Sequence, residues 1–274
     1  SFEYTRNLID FPDFEFSDRG MYIPNICKFH LSDSTFHHCR FSQQNNGAAF
    51  LYEGKRSTGH TEDIVLENVT FNNNSSPYAS CFFMKPLLTI PILKDLTIKN
   101  HQHAGNFVLV IVFPTNLRKD ITLERCTFDN NLYNKATDAK PDCGGSGLWI
   151  APAQFSPGYK DSFHLIFNQC KFLRNRNNLR GGALSYGYSN TLRYIFLDFN
   201  TCTFEDNTCD GQFGGALSVN GSVPVTISKC VFKGNKAVSA INKGHCIYAD
   251  RRARVVISES SFIDNGLYNY IVTN

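Results

Sequence analysis

Acidic pairs, scattered histidines, ten cysteines and a single tryptophan are the residues through which this chain could do chemistry. Two carboxylates flanking a sugar linkage would hydrolyse it. A carboxylate cluster holding calcium, with an arginine or lysine base, would instead eliminate across it. Glu205-Asp206 and Asp129 come nearest to such a set, and they read as turn residues beside a corner rather than as a converging pair. Arg251, Arg252 and Arg254 read as a basic patch without acidic partners, suited if anything to acidic glycans. His37-His38 and His101-x-His103 are the only histidine clusters, and neither supplies the close Cys/His pairs of a zinc site. The sequence calls for no metal and no cofactor, and its catalytic residues are none.

Composition narrows the classes further. The net charge of +3 gives no electrostatic case for nucleic acid. The longest apolar run, Phe107 to Phe113, is far short of a membrane span and has the length of a buried strand. Aromatics make up 14% of the 274 residues, 24 of them Phe, which suits pleated, half-buried surfaces. The N-terminus is no signal peptide, so a secreted protein would be present here in mature or trimmed form.

The element that must position all these side chains is a repeat. Phe36, Phe71, Ile98, Phe128, Phe172, Phe204, Phe232 and Phe262 follow one another at intervals of 35, 27, 30, 44, 32, 28 and 30 residues. Apolar residues stand seven and five positions before each, a small residue or an aliphatic two before, and Asn three after in all but two. Spacing by two means a strand with alternating faces. The spacing of three between the halves means a bend, so two short strands meet at a corner. Asn suits the next bend because it tolerates left-handed backbone, and its amide can bond along a stack. A third apolar segment follows, opened by Gly181-Gly182-Ala183-Leu184 or Gly214-Gly215-Ala216-Leu217. Three short strands per unit, repeated in register, predict an all-β, single-stranded parallel β-helix of about eight coils, because a coil buries its apolar face only against its neighbours. At a strand spacing of about 4.8 Å the rod is roughly 40 Å long. Its right hand follows the rule for parallel crossovers. Residues 29–274 form this helix, with an inserted loop at about 132–160, and residues 1–28 fall outside the repeat as an N-terminal cap.

The cysteines divide by position. Cys126, Cys170, Cys202 and Cys230 share one interior column and read as a ladder of buried thiols, although neighbouring rungs lie within disulfide reach. Cys143 and Cys209 read as loop residues that could pair across the rod.

The tandem of Phe-x-x-Asn and Gly-Gly-Ala-Leu, clean at Phe172/Gly181 and Phe204/Gly214, resembles the polymorphic membrane protein repeat of chlamydial surface proteins, which also occurs in some protist surface proteins. The resemblance covers roughly residues 29–272 and implies a secreted or cell-surface chain concerned with adhesion, a fragment of a longer surface protein whose partner is a host or partner cell-surface protein or glycan. Specificity then belongs to what departs from the repeat. The largest departure carries Tyr133, Trp149, Phe155 and Tyr159, and Arg251 and Arg252 line a second candidate. A polysaccharide lyase or hydrolase of the pectin-degrading β-helix type, and a passive stalk, are the alternatives.

Overall fold

The computed structural model describes residues 2–10, 15–16, 21–24, 28–41, 50–53, 63–74, 79–85, 91–103, 107–112, 120–133, 148–151, 163–186, 195–211, 213–238, 244–250, 252–266 and 271–273. They form a parallel β-helix. One coil shows the plan: strands Phe163–Asn168, Lys171–Leu173, Arg176–Asn177 and Leu184–Tyr186 follow each other around the perimeter. Each pairs in parallel with its counterpart one coil on, Ile195–Asn200, Thr203–Glu205, Thr208–Cys209 and Leu217–Val219. The two-residue strand after the Asn is an addition to the three expected; it builds a five-stranded sheet of its own.

The repeat columns stack in register from Phe36↔Phe71 through Phe232↔Phe262. The N-terminal segment lies against the first repeat coil as a paired strand. Phe2–Asp10 pairs in parallel with Lys28–His37, placing Phe2 opposite Phe29, Tyr4 opposite Leu31 and Ile9 opposite Phe36. Glu15–Phe16 and Met21–Pro24 continue it against Arg40–Phe41 and Phe50–Glu53. The segment therefore adds a rung ahead of the eight repeat positions, and the coil count differs from the expected one accordingly.

Burial follows the column pattern. Strand Ile195–Asn200 alternates buried and half-buried residues, with Ile195, Leu197 and Phe199 inside. The stacked rings are held at the strand spacing: Phe128–Phe172, Phe172–Phe204, Phe204–Phe232 and Phe232–Phe262 lie 4.6–4.9 Å apart and within 6° of parallel. Phe167 and Phe199 form a second stack at 4.7 Å and meet the first edge-on. Free rings prefer offset or edge contacts; here the backbone ladder sets the distance and the stack adopts it.

Corners carry the strain. The residue three before each Phe is left-handed in all eight repeats, from Asp33 (φ 48°) to Glu259 (φ 47°). So is the residue two after it, from His38 (φ 54°) to Asp264 (φ 50°). The bend thus sits one residue before the conserved-looking Asn position, not on the Asn itself. Where the third sheet begins, coils approach more closely than side chains permit. A Cβ on Gly215 would stand 2.0 Å from the His245 carbonyl oxygen, and Gly214 adopts φ +64°.

Candidate binding surface

One column of polar side chains is spent inside the rod. Asn131, Asn175, Asn207, Asn235 and Asn265 are buried in one column. In each step the backbone N–H and the Nδ2 of one Asn donate to the Oδ1 of the next: Asn175 to Asn207 at 3.0 and 3.0 Å, Asn207 to Asn235 at 3.1 and 2.9 Å. The other Nδ2 hydrogen reaches the carbonyl of the Phe one rung back, as from Asn207 to Phe172 at 2.8 Å. His101 holds an Asn position in the same ladder. Its Nδ1 lies 3.0 Å from Asn131 Oδ1, which only accepts, so Nδ1 carries the proton and Nε2 faces the Asn74 amide at 3.4 Å. This histidine is a structural member of the rod.

The cysteine column is a ladder of free thiols, as the residue positions imply. The Sγ atoms of Cys170, Cys202 and Cys230 each lie 3.3–3.5 Å from two carbonyl oxygens, one two residues back and one on an earlier coil, either of which can take the single S–H. Hydrogen bonds with the thiols of Cys126 and Cys202, reinforced by burial, push Cys170 well above the ordinary thiol range. Cys209 is not a loop residue: it lies in the short strand, fully buried, its Sγ 3.5 Å from the Leu179 carbonyl, and burial pushes it up to about 11. Cys143, its proposed partner, lies outside the described residues.

Outside, the carboxylates and the bases meet across rungs. Arg125 grips Asp95 with two bonds, Nε to Oδ1 at 2.7 Å and Nη2 to Oδ2 at 2.8 Å. The bond from Arg125 holds the Asp95 carboxyl below its usual range. Arg174 pairs with Asp129 at 2.6 Å, Lys233 with Glu205 at 2.8 Å, and Arg176 with both oxygens of Asp210. The bond from Lys233 lowers Glu205 likewise. Arg180 lies over the Phe213 ring at 4.9 Å and donates to Asn220 Oδ1 at 3.0 Å.

The expected binding residues fare unequally. Tyr133 is 2% exposed, in the buried column that continues through Asn177, Cys209 and Ala237. It is enclosed by the rod rather than presented to a partner. The backbone of Trp149 belongs to strand Leu148–Ala151, between Val110 and Ser185 of the neighbouring rungs. The expected insertion therefore includes two regular strands of its coil. Phe155, Tyr159 and Arg251 lie outside the described residues. Arg252 donates to Asp250 Oδ2 at 3.3 Å, so the patch does have an acidic partner next to it in the chain.

Two grooves mark the described surface. One of about 600 Å³ at the C-terminal end is lined by Lys236, Ala237, Val238, His245, Asp264, Asn265 and Gly266. His245 accepts the Ala237 N–H at Nδ1, and burial lowers its proton affinity. A second, of about 590 Å³ at the first corner, is lined by His30, Ser32, Asp33, Glu67, Asn68 and Asp95. Its acids are already bonded, Asp33 to Asn68, Glu67 to Lys94 and Asp95 to Arg125. Among the described residues there is no group of three potential metal ligands and no helix long and apolar enough to cross a membrane.

No family model, curated protein or solved structure matches the chain. The strand pairing itself establishes the parallel β-helix.

Proposed function

We propose that the chain is the rod of an extracellular or cell-surface protein, akin to the polymorphic membrane protein repeats, and that it serves adhesion or recognition of a partner protein or glycan. The observation that supports this best is the engagement of the charged groups. Asp95, Asp129, Glu205 and Asp210 are each committed to an arginine or lysine on a neighbouring rung. An acid–base pair for glycoside cleavage needs two carboxylates facing a common space, and these face their own partners. What varies along a regular rod is the chain between the rungs, and the longest such stretches flank strand Leu148–Ala151.

Binding of the fluorescently labelled chain to epithelial cells tests the reading, with a heat-unfolded sample and a variant whose residues 134–147 are replaced by a short Gly/Ser turn. Saturable binding that the replacement abolishes is expected. A folded chain that does not bind would sink the adhesive role and direct attention to polysaccharide cleavage, assayed on pectin-like polymers.

A further inference from the structure

Asn-x-Ser/Thr triplets occur in the chain at Asn68, Asn73, Asn74 and Asn220. This is the acceptor pattern for an N-linked sugar, a bulky group that only a surface asparagine can carry. The rod sorts these positions. Asn74 is fully buried in the asparagine ladder, where its Oδ1 accepts the Cys39 N–H at 2.9 Å and its Nδ2 donates to the Phe36 carbonyl at 3.2 Å. Asn220 is also buried; its Oδ1 accepts from Arg180 at 3.0 Å, and its Nδ2 is shut off from solvent. A sugar on either nitrogen would have to sit inside the packed rod.

Asn68 is placed differently. It is exposed, at the left-handed position of the first corner (φ 54°), while Val69 beside it is fully buried and pins the bend. Its Nδ2 donates to Asp33 Oδ1 on the preceding rung at 2.7 Å. An amide nitrogen carries two hydrogens, so a sugar can replace one and leave the other to Asp33. The groove of about 590 Å³ at this corner is lined by Asn68 together with Ser32, Asp33 and Asp95. It offers the first sugar room, and oxygens that can accept from its hydroxyls. Asn73 is exposed at the second corner but lines neither groove. Exposure, a spare amide hydrogen and an adjoining groove coincide at Asn68.

We propose that Asn68 bears an N-linked glycan when the chain is made for the exterior, a proposal that rests on the extracellular reading above. The donor is an oligosaccharide on a polyprenyl diphosphate. The Nδ2 nitrogen bonds to the sugar C1, the C1–O bond to the diphosphate breaks, and the Nδ2 proton passes to a base of the transferase. Transfer takes place on the extended chain, and folding then retains sugar only where the rod leaves space for it. A glycan here closes the groove at the first corner to any partner.

The full chain behind a cleavable secretion signal, made in cultured eukaryotic cells, tests this. The added signal supplies the compartment, so occupancy reports on the site, while failure of the chain to bind cells would count against adhesion alone. Enzymatic release of the sugar in heavy-oxygen water converts a glycosylated Asn into labelled Asp, which peptide mass spectrometry locates in both lysate and medium. Label should fall on Asn68 in most chains and on neither Asn74 nor Asn220. Asn68→Gln should remove one glycan from the gel mobility. Thr70→Ala should do the same while sparing the Asn68 amide, and circular dichroism checks that each variant is folded. An unlabelled Asn68, sugar on Asn73 in its place, or a mobility that neither variant changes would each overturn the proposal.

Discussion

At the first corner of each repeat coil the inward residue is Ser34, Val69, Leu96, one of four cysteines or Ser260; at the second it is Asn in all but two coils, with Cys39 and His101 in the others. Both corners turn on a left-handed residue, and apart from the half-buried Ser260 their inward residues are buried. The difference lies in what the backbone asks of the side chain. At the first corner a thiol or hydroxyl bonds carbonyls and, at Cys230 and Ser260, accepts one backbone N–H as well, yet Val69 and Leu96 stand in the same column without such a group. At the second corner the side chain must accept a backbone N–H and an amide N–H while donating to a carbonyl. A buried donor left empty costs far more than a carbonyl left half-used. One corner selects for volume, the other for bonding.

Replacing Asn207 with Leu should break this comparison open. It keeps the bulk but strands the Asn175 N–H, the Asn175 amide and the Phe172 carbonyl, for a loss of about 3–5 kcal/mol in urea unfolding. Asn207→His should restore a good part of that, since His101 serves in the same ladder; equal damage from both would mean the column reads shape alone. Cys202→Val should cost only about 1 kcal/mol, because Val69 already fills that column. A loss as large as that of Asn207→Leu would erase the distinction. In the same corner, the folded chain should leave Cys170, Cys202 and Cys230 unreactive toward a thiol reagent until denaturant is added. Rapid labelling of the native protein would show the ladder to be open.

The smallest effect belongs to the outer surface. Arg125→Gln should lower stability by under about 1 kcal/mol, and the difference should fade in high salt. Its pH signature has a definite sign. The folded Asp95 carboxyl lies below its ordinary value of 3.8, so its contribution is fully present above that value and is lost as pH falls through the folded one. Thermal melts between neutral and strongly acid pH should show that loss in the wild type and a flatter curve in the variant.

The columns were legible because Phe and Asn recur at a spacing that strands and corners enforce. The first rung was legible too, in hindsight: Phe2-x-Tyr4-x-x-Asn7-x-Ile9 carries the column spacing, but Pro12 stands where the Asn belongs and hides it. The left-handed corners left only a partial trace in residue type: Asn73, Asn100, Asn130, Asp206, Gly234 and Asp264 hold the second one, while the first is mixed. Asp95, Arg125, Gln169, Thr201 and Lys229 all adopt the same φ because the strands on either side fix the bend, whatever side chain points outward. Tyr133 and Cys209 were misplaced for a related reason. Their strand is two residues long, too short for any alternation to reveal which face is inside. The cross-rung ion pairs are invisible in one dimension, since Asp95 and Arg125 become neighbours only once the coil length is known.

The asparagine ladder also gives the rod a sense of direction. Every amide oxygen in it faces the preceding rung and every donating backbone N–H faces the following one. Turning one coil end over end would set oxygen against oxygen, or hydrogen against hydrogen. The stack is therefore a one-way street: growth, truncation or fusion that respects this sense leaves the ladder intact. A seam joining two rods nose to nose would have to do without it.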